Sequence, residues 1–150
     1  MLLGEALIAK KLITQKQLDL ALEEQQFSKE FLGTILVKRN FLKEEDLMKA
    51  LSEQFNIPYV SLKHRYIDWD VAERFSSSLV IDHHCMPLED DKEAVTMAIA
   101  NPLDAKAVSK AEEETRGRFV RWVLASPDDL RDVVQRYRKR MAAKIRKSLE

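Results

Sequence analysis

Leu3-Gly4-Glu5-Ala6-Leu7-Ile8 returns 29 residues later as Leu32-Gly33-Thr34-Ile35-Leu36-Val37, and the correspondence runs on without a gap. Leu3 to Gln25 aligns with Leu32 to Gln54. Eight of these 23 positions are identical: Leu3/Leu32, Gly4/Gly33, Leu7/Leu36, Leu18/Leu47, Ala21/Ala50, Leu22/Leu51, Glu24/Glu53 and Gln25/Gln54. Ile8/Val37, Lys10/Arg39, Leu12/Phe41 and Ile13/Leu42 are conservative pairs. A fixed short period of this kind marks two copies of one supersecondary unit. Leu3, Leu7 and Ile8 have helical spacing, and Leu18, Ala21, Leu22 and Gln25 form a second stripe, so each copy reads as a short helix, a tight connection and a longer helix. Thr14 with Gln17 three residues on fits a capping box. Glu44, Glu45 and Asp46 place negative charge where the dipole of the second long helix favours it. Pro58 closes the helical half.

The repeated glycine and glutamine admit two readings. Gly4 and Gly33 stand near helix starts, where a missing Cβ either relieves helix packing or leaves amide donors open to an anion. Gln25 and Gln54 either end exposed helices or offer paired polar contacts to a two-fold ligand.

Beyond Pro58 the pattern changes. Tyr59-Val60-Ser61-Leu62 reads as a short strand, Asp70 to Phe75 as a helical turn and Ser76-Ser77-Ser78 as a break. Cys85-Met86-Pro87-Leu88 and Ala94 to Ala100 read as strands joined by the acidic turn Glu89-Asp90-Asp91-Lys92-Glu93. Asp104 caps a helix from about Ala105 to Thr115, with Gly117 as its stop. Phe119 to Ala125 is a further strand, with Phe119, Arg121 and Val123 on one face and Val120, Trp122 and Leu124 on the other. Ser126-Pro127-Asp128-Asp129 opens a final helix running towards Lys147. Leu130, Val134, Tyr137, Met141 and Ile145 form its apolar stripe. Arg136, Arg138, Lys139, Arg140, Lys144, Arg146 and Lys147 crowd its distal part, which suits a solvated helix leading to a linker, an acidic partner or an anionic membrane surface. The fold class is therefore α+β: an N-terminal tandem helix-pair repeat packed with a small three- or four-stranded sheet flanked by helices. We divide the chain into the repeat (1–58), an α/β subdomain (59–130) and the basic end of the final helix (131–150).

Composition narrows the function. The chain has 150 residues, 33% charged and 45% apolar, with 25 basic and 25 acidic side chains. That is an ordinary globular composition without the basic excess of a general nucleic-acid binder. The three glycines, Gly4, Gly33 and Gly117, cannot build a phosphate-cradling P-loop or a G-x-G-x-x-G turn. With Cys85 as the single cysteine no intrachain disulfide forms, which suits a reducing compartment. No apolar run approaches the roughly 18 to 20 residues that span a bilayer. The first residues lack the form of a secretory signal, so the expected location is the cytoplasm. Leu149-Glu150 has the sequence of a cloning remnant, in which case the natural chain continues beyond this point.

Catalytic chemistry finds little support. Adjacent His83 and His84 point different ways on regular structure, His64 stands alone, and neither they nor Cys85 have a second group at zinc-site spacing. Cys85 opens a buried strand, where a thiol is inert. The runs Glu89-Asp90-Asp91 and Glu112-Glu113-Glu114 lack the spaced, differently buried carboxylates of acid–base catalysis. Trp69 and Trp122 read as packing residues. An enzyme hidden in this chain would need Cys85 or His84.

The repeat resembles the N-terminal domain of the assembly ATPases of type II secretion and type IV pilus systems. The resemblance rests on Leu-Gly-x-x-Leu/Ile-Leu/Ile near the start of each copy, Leu-x-x-x-Leu-x-x-Gln at its end, and the spacer Gln26 to Glu30. It extends through Phe55 to Val60, Met86-Pro87-Leu88, Met97 to Asp104 and Ala125 to Leu130. It implies a non-catalytic docking and regulatory domain, with the P-loop module elsewhere in the full-length protein. The implied partner is the cytoplasmic part of an inner-membrane platform protein, so membrane contact is indirect and no nucleic acid is involved. Some members bind cyclic di-GMP through the repeat. The residues here that match such a face are Leu3, Gly4, Leu7, Gln25, Leu32, Gly33, Leu36 and Gln54. The same motif carries Arg before each Leu-Gly and a second Gly further on. Leu2 and Phe31 stand at the Arg positions, and Lys11 and Asn40 at the second Gly positions. Arg offers a planar charged fork to phosphate and guanine edges, at about 1.5 to 3 kcal/mol per charged hydrogen bond, and neither Leu nor Phe replaces it. The resemblance therefore implies protein docking first and nucleotide sensing second, with no cofactor required.

Overall fold

A computed structural model describes residues 2–150. The chain divides into two compact units, one ending at Ile57 and one from Pro58 to Glu150.

In the first unit the repeat becomes four helices: α1 (Leu3–Ala9), α2 (Gln15–Ser28), α3 (Leu32–Lys38) and α4 (Glu44–Phe55). The capping box at α2 is complete. Thr14 Oγ1 accepts from the Gln17 amide at 3.1 Å and Gln17 Oε1 accepts from the Thr14 amide at 2.9 Å. Leu7, Ile35, Leu36, Met48 and Leu51 lie at the centre of the unit, essentially inaccessible to water. One boundary differs from the sequence reading: α2 continues through Gln26, Phe27 and Ser28, so the spacer begins as helix.

The second unit is built on a three-stranded sheet of β1 (Met86–Asp90), β2 (Ala94–Ile99) and β3 (Phe119–Leu124), in that order. β1 and β2 are antiparallel, and β2 and β3 run parallel through the crossover helix α7 (Ala105–Glu114). Pro87 lies on the edge strand beside an irregularity in the ladder, where a missing donor is tolerated. Every residue of central β2 is buried. Met86, Leu88, Ala98 and Val123 pack with Leu130, Val133, Val134 and Tyr137 of α8 (Pro127–Ser148). Val95, Met97 and Val120 pack on the opposite face with Leu79 of α6 (Ser77–Ile81) and Ala111 of α7. Val71 of α5 (Trp69–Ala72) joins that second cluster. The alternation expected for Phe119 to Leu124 is thereby realised.

Four readings are corrected. Tyr59 to Leu62 is no strand: Tyr59 makes a single bridge to Leu124, and the Leu62 amide turns away to the Asp129 carboxylate at 2.8 Å. The sheet therefore has three strands among the described residues. Ser76 does not break the chain but caps α6, its Oγ accepting from the Leu79 amide at 3.2 Å. Glu89 and Asp90 belong to β1, because Asp91 alone closes the turn, its carboxylate accepting from the Glu93 and Ala94 amides at 2.8 Å each. Ile145 leaves the buried stripe of α8 and is 61% exposed. Helix α8 is continuous from Pro127 to Ser148, so residues 131–148 extend the second unit without a break.

Candidate functional site

The tandem repeat holds the residues singled out in the sequence. Within each copy the long helix sends a leucine side chain over the glycine of the short one. A Cβ on Gly4 would come within 2.7 Å of Leu18 Cδ1, and one on Gly33 within 2.8 Å of both Leu47 Cδ1 and Phe31 Cε1. The glycines are thus close-packing residues, and the identical Leu18 and Leu47 are what they pack against. Between copies, Lys10 pairs with Glu53 and Arg39 with Glu24. Lys10 and Arg39 are repeat equivalents, as are Glu24 and Glu53, so each copy reaches the other by the same contact in opposite directions. That reciprocity is the mark of pseudo-two-fold symmetry.

Both short helices end alike. The amide of Lys11 donates to the Ile8 carbonyl at 2.9 Å and that of Leu12 to Leu7 at 3.0 Å. In the second copy Asn40 donates to Val37 at 3.0 Å and Phe41 to Leu36 at 2.9 Å. These are Schellman closures, which require a left-handed residue at the first position past the cap. Lys11 and Asn40 supply it, with φ of 59° and 60°. These are the two positions at which the resemblance implies glycine, and the backbone explains why glycine suits them.

Of the candidate ligand-contacting residues, Leu3, Gly4, Leu7, Gly33 and Leu36 are buried, while Gln25, Leu32 and Gln54 are half-buried. Gln25 Nε2 donates to the Glu30 carbonyl at 3.0 Å and so closes the spacer onto α2. Leu2 is 73% exposed and Phe31 is half-buried. Neither can contribute a cation.

In the second unit, Cys85 is completely buried, its Sγ 3.8 Å from Met97 Sδ. Burial, followed by the charges of Asp104 and Glu114, pushes its thiol up to about 12. Among the described residues no three His, Cys, Asp or Glu side chains gather as a metal site. Glu114 is not a free surface charge: burial raises its pKa, but the Ser76 amide and hydroxyl, each at 2.7 Å, and Lys110 outweigh this and hold it below the usual value. Two clusters escaped the sequence reading. Asp90 takes Arg74 at 3.2 Å and Arg118 at 2.6 Å, and Asp91 takes Arg121 at 2.8 Å. Glu73 receives Arg140 and Lys144 from α8, while Arg140 also lies 5.0 Å above the Trp69 ring. Partners so far apart along the chain leave no local signal. The cross-copy pairs did leave one, because Glu24/Glu53 and Lys10/Arg39 are matched repeat positions.

A family model described as the MshEN domain matches residues 55–144. The chain belongs to the MshEN domain family. This MshEN domain is 30% identical over 135 residues to the type IV pilus assembly ATPase PilB of Myxococcus xanthus, which covers 90% of this chain and 24% of that protein. It thus spans about a quarter of that relative's length. Its fold matches the structure of MshE with cdg at a TM-score of 0.82 and 23% identity, over 91% of this chain and 99% of that one. It matches the N-terminal domain of XpsE at a TM-score of 0.75 and 20% identity, over 90% and 92%. The α+β reading and the family expected from the repeat are both met by these matches. No helix among the described residues is long and apolar enough to cross a membrane.

Proposed function

We propose that this MshEN domain is the non-catalytic docking and regulatory front end of a secretion or pilus assembly ATPase, and that it binds the cytoplasmic part of an inner-membrane platform protein. The ATPase module lies elsewhere in the full-length protein, and the domain sits in the cytoplasm, held at the inner membrane through its partner. In this reading residues 1–58 form the repeat module, 59–130 the α/β subdomain, and 131–150 the basic connection onward. The family membership and the PilB relative support the setting. The pair Leu2 and Phe31 carries the choice of a protein over a nucleotide as ligand. At the positions where the resemblance implies two arginines, the repeat presents an exposed and a half-buried apolar side chain. A dianionic ligand there would lose its main cationic hydrogen bonds.

A second reading has its own support. The fold neighbour MshE is described with cdg, which we take as cyclic di-GMP, and Leu3, Gly4, Leu7 and Gln25 recur here as Leu32, Gly33, Leu36 and Gln54. Calorimetric titration of the chain with cyclic di-GMP, with GTP as control, separates the two. Docking predicts no specific heat from cyclic di-GMP and saturable binding of the platform protein's cytoplasmic part. Specific nucleotide binding at low micromolar affinity or better would make the domain a second-messenger sensor instead.

A further inference from the structure

The pseudo-symmetry of the repeat is broken on one surface. On the outer face of α2, Lys16, Leu20, Glu23 and Phe27 follow one another at helical spacing, and all four are exposed. Leu20 is 48% and Phe27 83% exposed. At the same offset in the second copy stand Glu45, Lys49, Ser52 and Asn56. There Lys49 and Glu45 satisfy each other at 3.1 Å, and Asn56 already caps α4 in the left-handed conformation. The second copy thus forms the same helix pair with a polar outer face closed on itself. Leu20 and Phe27 are therefore not demanded by the fold, and α2 is extended past the equivalent end of α4 by the two residues that carry Phe27 outward. Leu20 and Phe27 line one cleft on a helix otherwise free to be polar, which suits a contact surface.

Between them opens a cleft of about 370 Å³ lined by Leu20, Glu23, Glu24, Phe27 and Arg39. Glu24 and Arg39 neutralise each other at its edge. Glu23 carries no ion pair among the described residues, which leaves one uncompensated carboxylate between the two apolar side chains. We propose that this face docks an amphipathic helix of the partner protein, which places an apolar side chain between Leu20 and Phe27 and a lysine or arginine against Glu23. The inference rests on the docking reading and deepens it. It also sets the stoichiometry: the repeat has two copies, but only α2 carries the face, so one partner binds per chain.

The test is titration of the 150-residue chain with the purified cytoplasmic part of the platform protein from the same system. The double variant Leu20→Lys/Phe27→Gln should bind at least tenfold more weakly, since exposed aromatic anchors carry much of the affinity of such interfaces. Its thermal midpoint should stay close to the parent's, because Lys is the residue at the matching position of the second copy. Glu23→Lys should weaken binding and flatten its salt dependence. Lys49→Leu, in the second copy, should leave binding and its one-to-one ratio unchanged. Parent-like binding by the double variant overturns the proposal while leaving the docking reading intact. So does a parent chain that self-associates through Leu20 and Phe27 without their loss weakening the platform contact. Absence of any binding by the parent chain overturns the docking reading and this inference together.

Discussion

Lys10 reaches across the repeat to the carboxylate of Glu53, and their repeat equivalents make the same bridge in reverse, Arg39 reaching back to Glu24. The two bridges are one contact made twice, but they are not equal. The Glu24 side chain is 28% exposed and receives both Nε and Nη2 of Arg39, while Glu53 is 64% exposed and receives one amine. Exposed pairs contribute about 0.2 to 1 kcal/mol, and guanidinium geometry raises the yield. Double-mutant cycles read by urea unfolding should therefore give a larger coupling for Arg39–Glu24 than for Lys10–Glu53, with both below about 1 kcal/mol. Equal or inverted couplings would contradict this account.

The repeated glycines make a sharper demand. Gly4→Ala should destabilise the chain even though alanine is the better helix former, because the new Cβ meets Leu18. Overpacking of this kind costs about 1 to 3 kcal/mol, set against a propensity gain of about 1. Gly33→Ala should cost more, since Phe31 closes in from a second side. Trimming Leu18 to Ala alongside Gly4→Ala should give a cost smaller than the sum of the two single changes. Additive costs would show that the glycine and leucine do not press on each other.

Lys11 and Asn40 run the other way. Each holds a left-handed conformation at the end of a short helix. For an ordinary L-residue this costs about 1 to 2 kcal/mol, part of which glycine returns through its greater freedom when unfolded. Lys11→Gly should raise stability by about 0.5 to 1 kcal/mol, and Asn40→Gly by less, because asparagine tolerates this region better than lysine. Chemical denaturation midpoints would decide the order.

Acid should loosen the second unit through Asp91. The Arg121 hydrogen bond, with the Ala94 and Glu93 amides, holds its carboxyl down at about 2 from the usual 3.8. A depressed carboxylate stabilises the fold above its unfolded value and loses that contribution as pH falls through the folded one. The thermal midpoint should therefore be flat with respect to this group above about pH 4 and fall between pH 4 and 2. Asp91→Asn should shallow that fall without abolishing it, because Glu114 is also held below its ordinary value and acts in the same direction.

Cys85 should be silent. A fully buried thiol pushed up to about 12 presents no thiolate at pH 8. A thiol-specific disulfide reagent should label the native chain only at the rate of unfolding, and label it fully in denaturant. Rapid stoichiometric labelling of folded protein would mean that the sheet opens at this edge.

Features confined to one turn of chain were legible beforehand. Thr14 and Gln17 met as a capping box, Ser126 and Pro127 opened α8, and Asp104 capped α7 with its carboxylate 3.1 Å from the Ala107 amide. The two-copy arrangement was visible because identity at a fixed offset needs no folded chain to be seen. Readings failed where a distant group intervened. Tyr59 to Leu62 has the composition of a strand, yet Asp129 takes the Leu62 amide and ends the pairing after one bridge. Three serines look like a break until Glu114 of α7 grips Ser76. Ile145 fits the helical stripe, but the stripe is buried only through Tyr137, with Met141 half-buried beyond it.

The amino-acid order alone thus settled the repeat, its family and the helix caps at Thr14, Asp104 and Ser126. Each of these depends on residue types a few positions apart, or on a comparison of the chain with itself. The tertiary structure decided which glycines are pressed by which leucines, that Lys10 and Arg39 cross between copies, and that Leu20 and Phe27 face outward while their second-copy counterparts are polar. Burial and ion pairing are set by side chains brought together from dozens of residues apart, and periodicity carries no record of that distance.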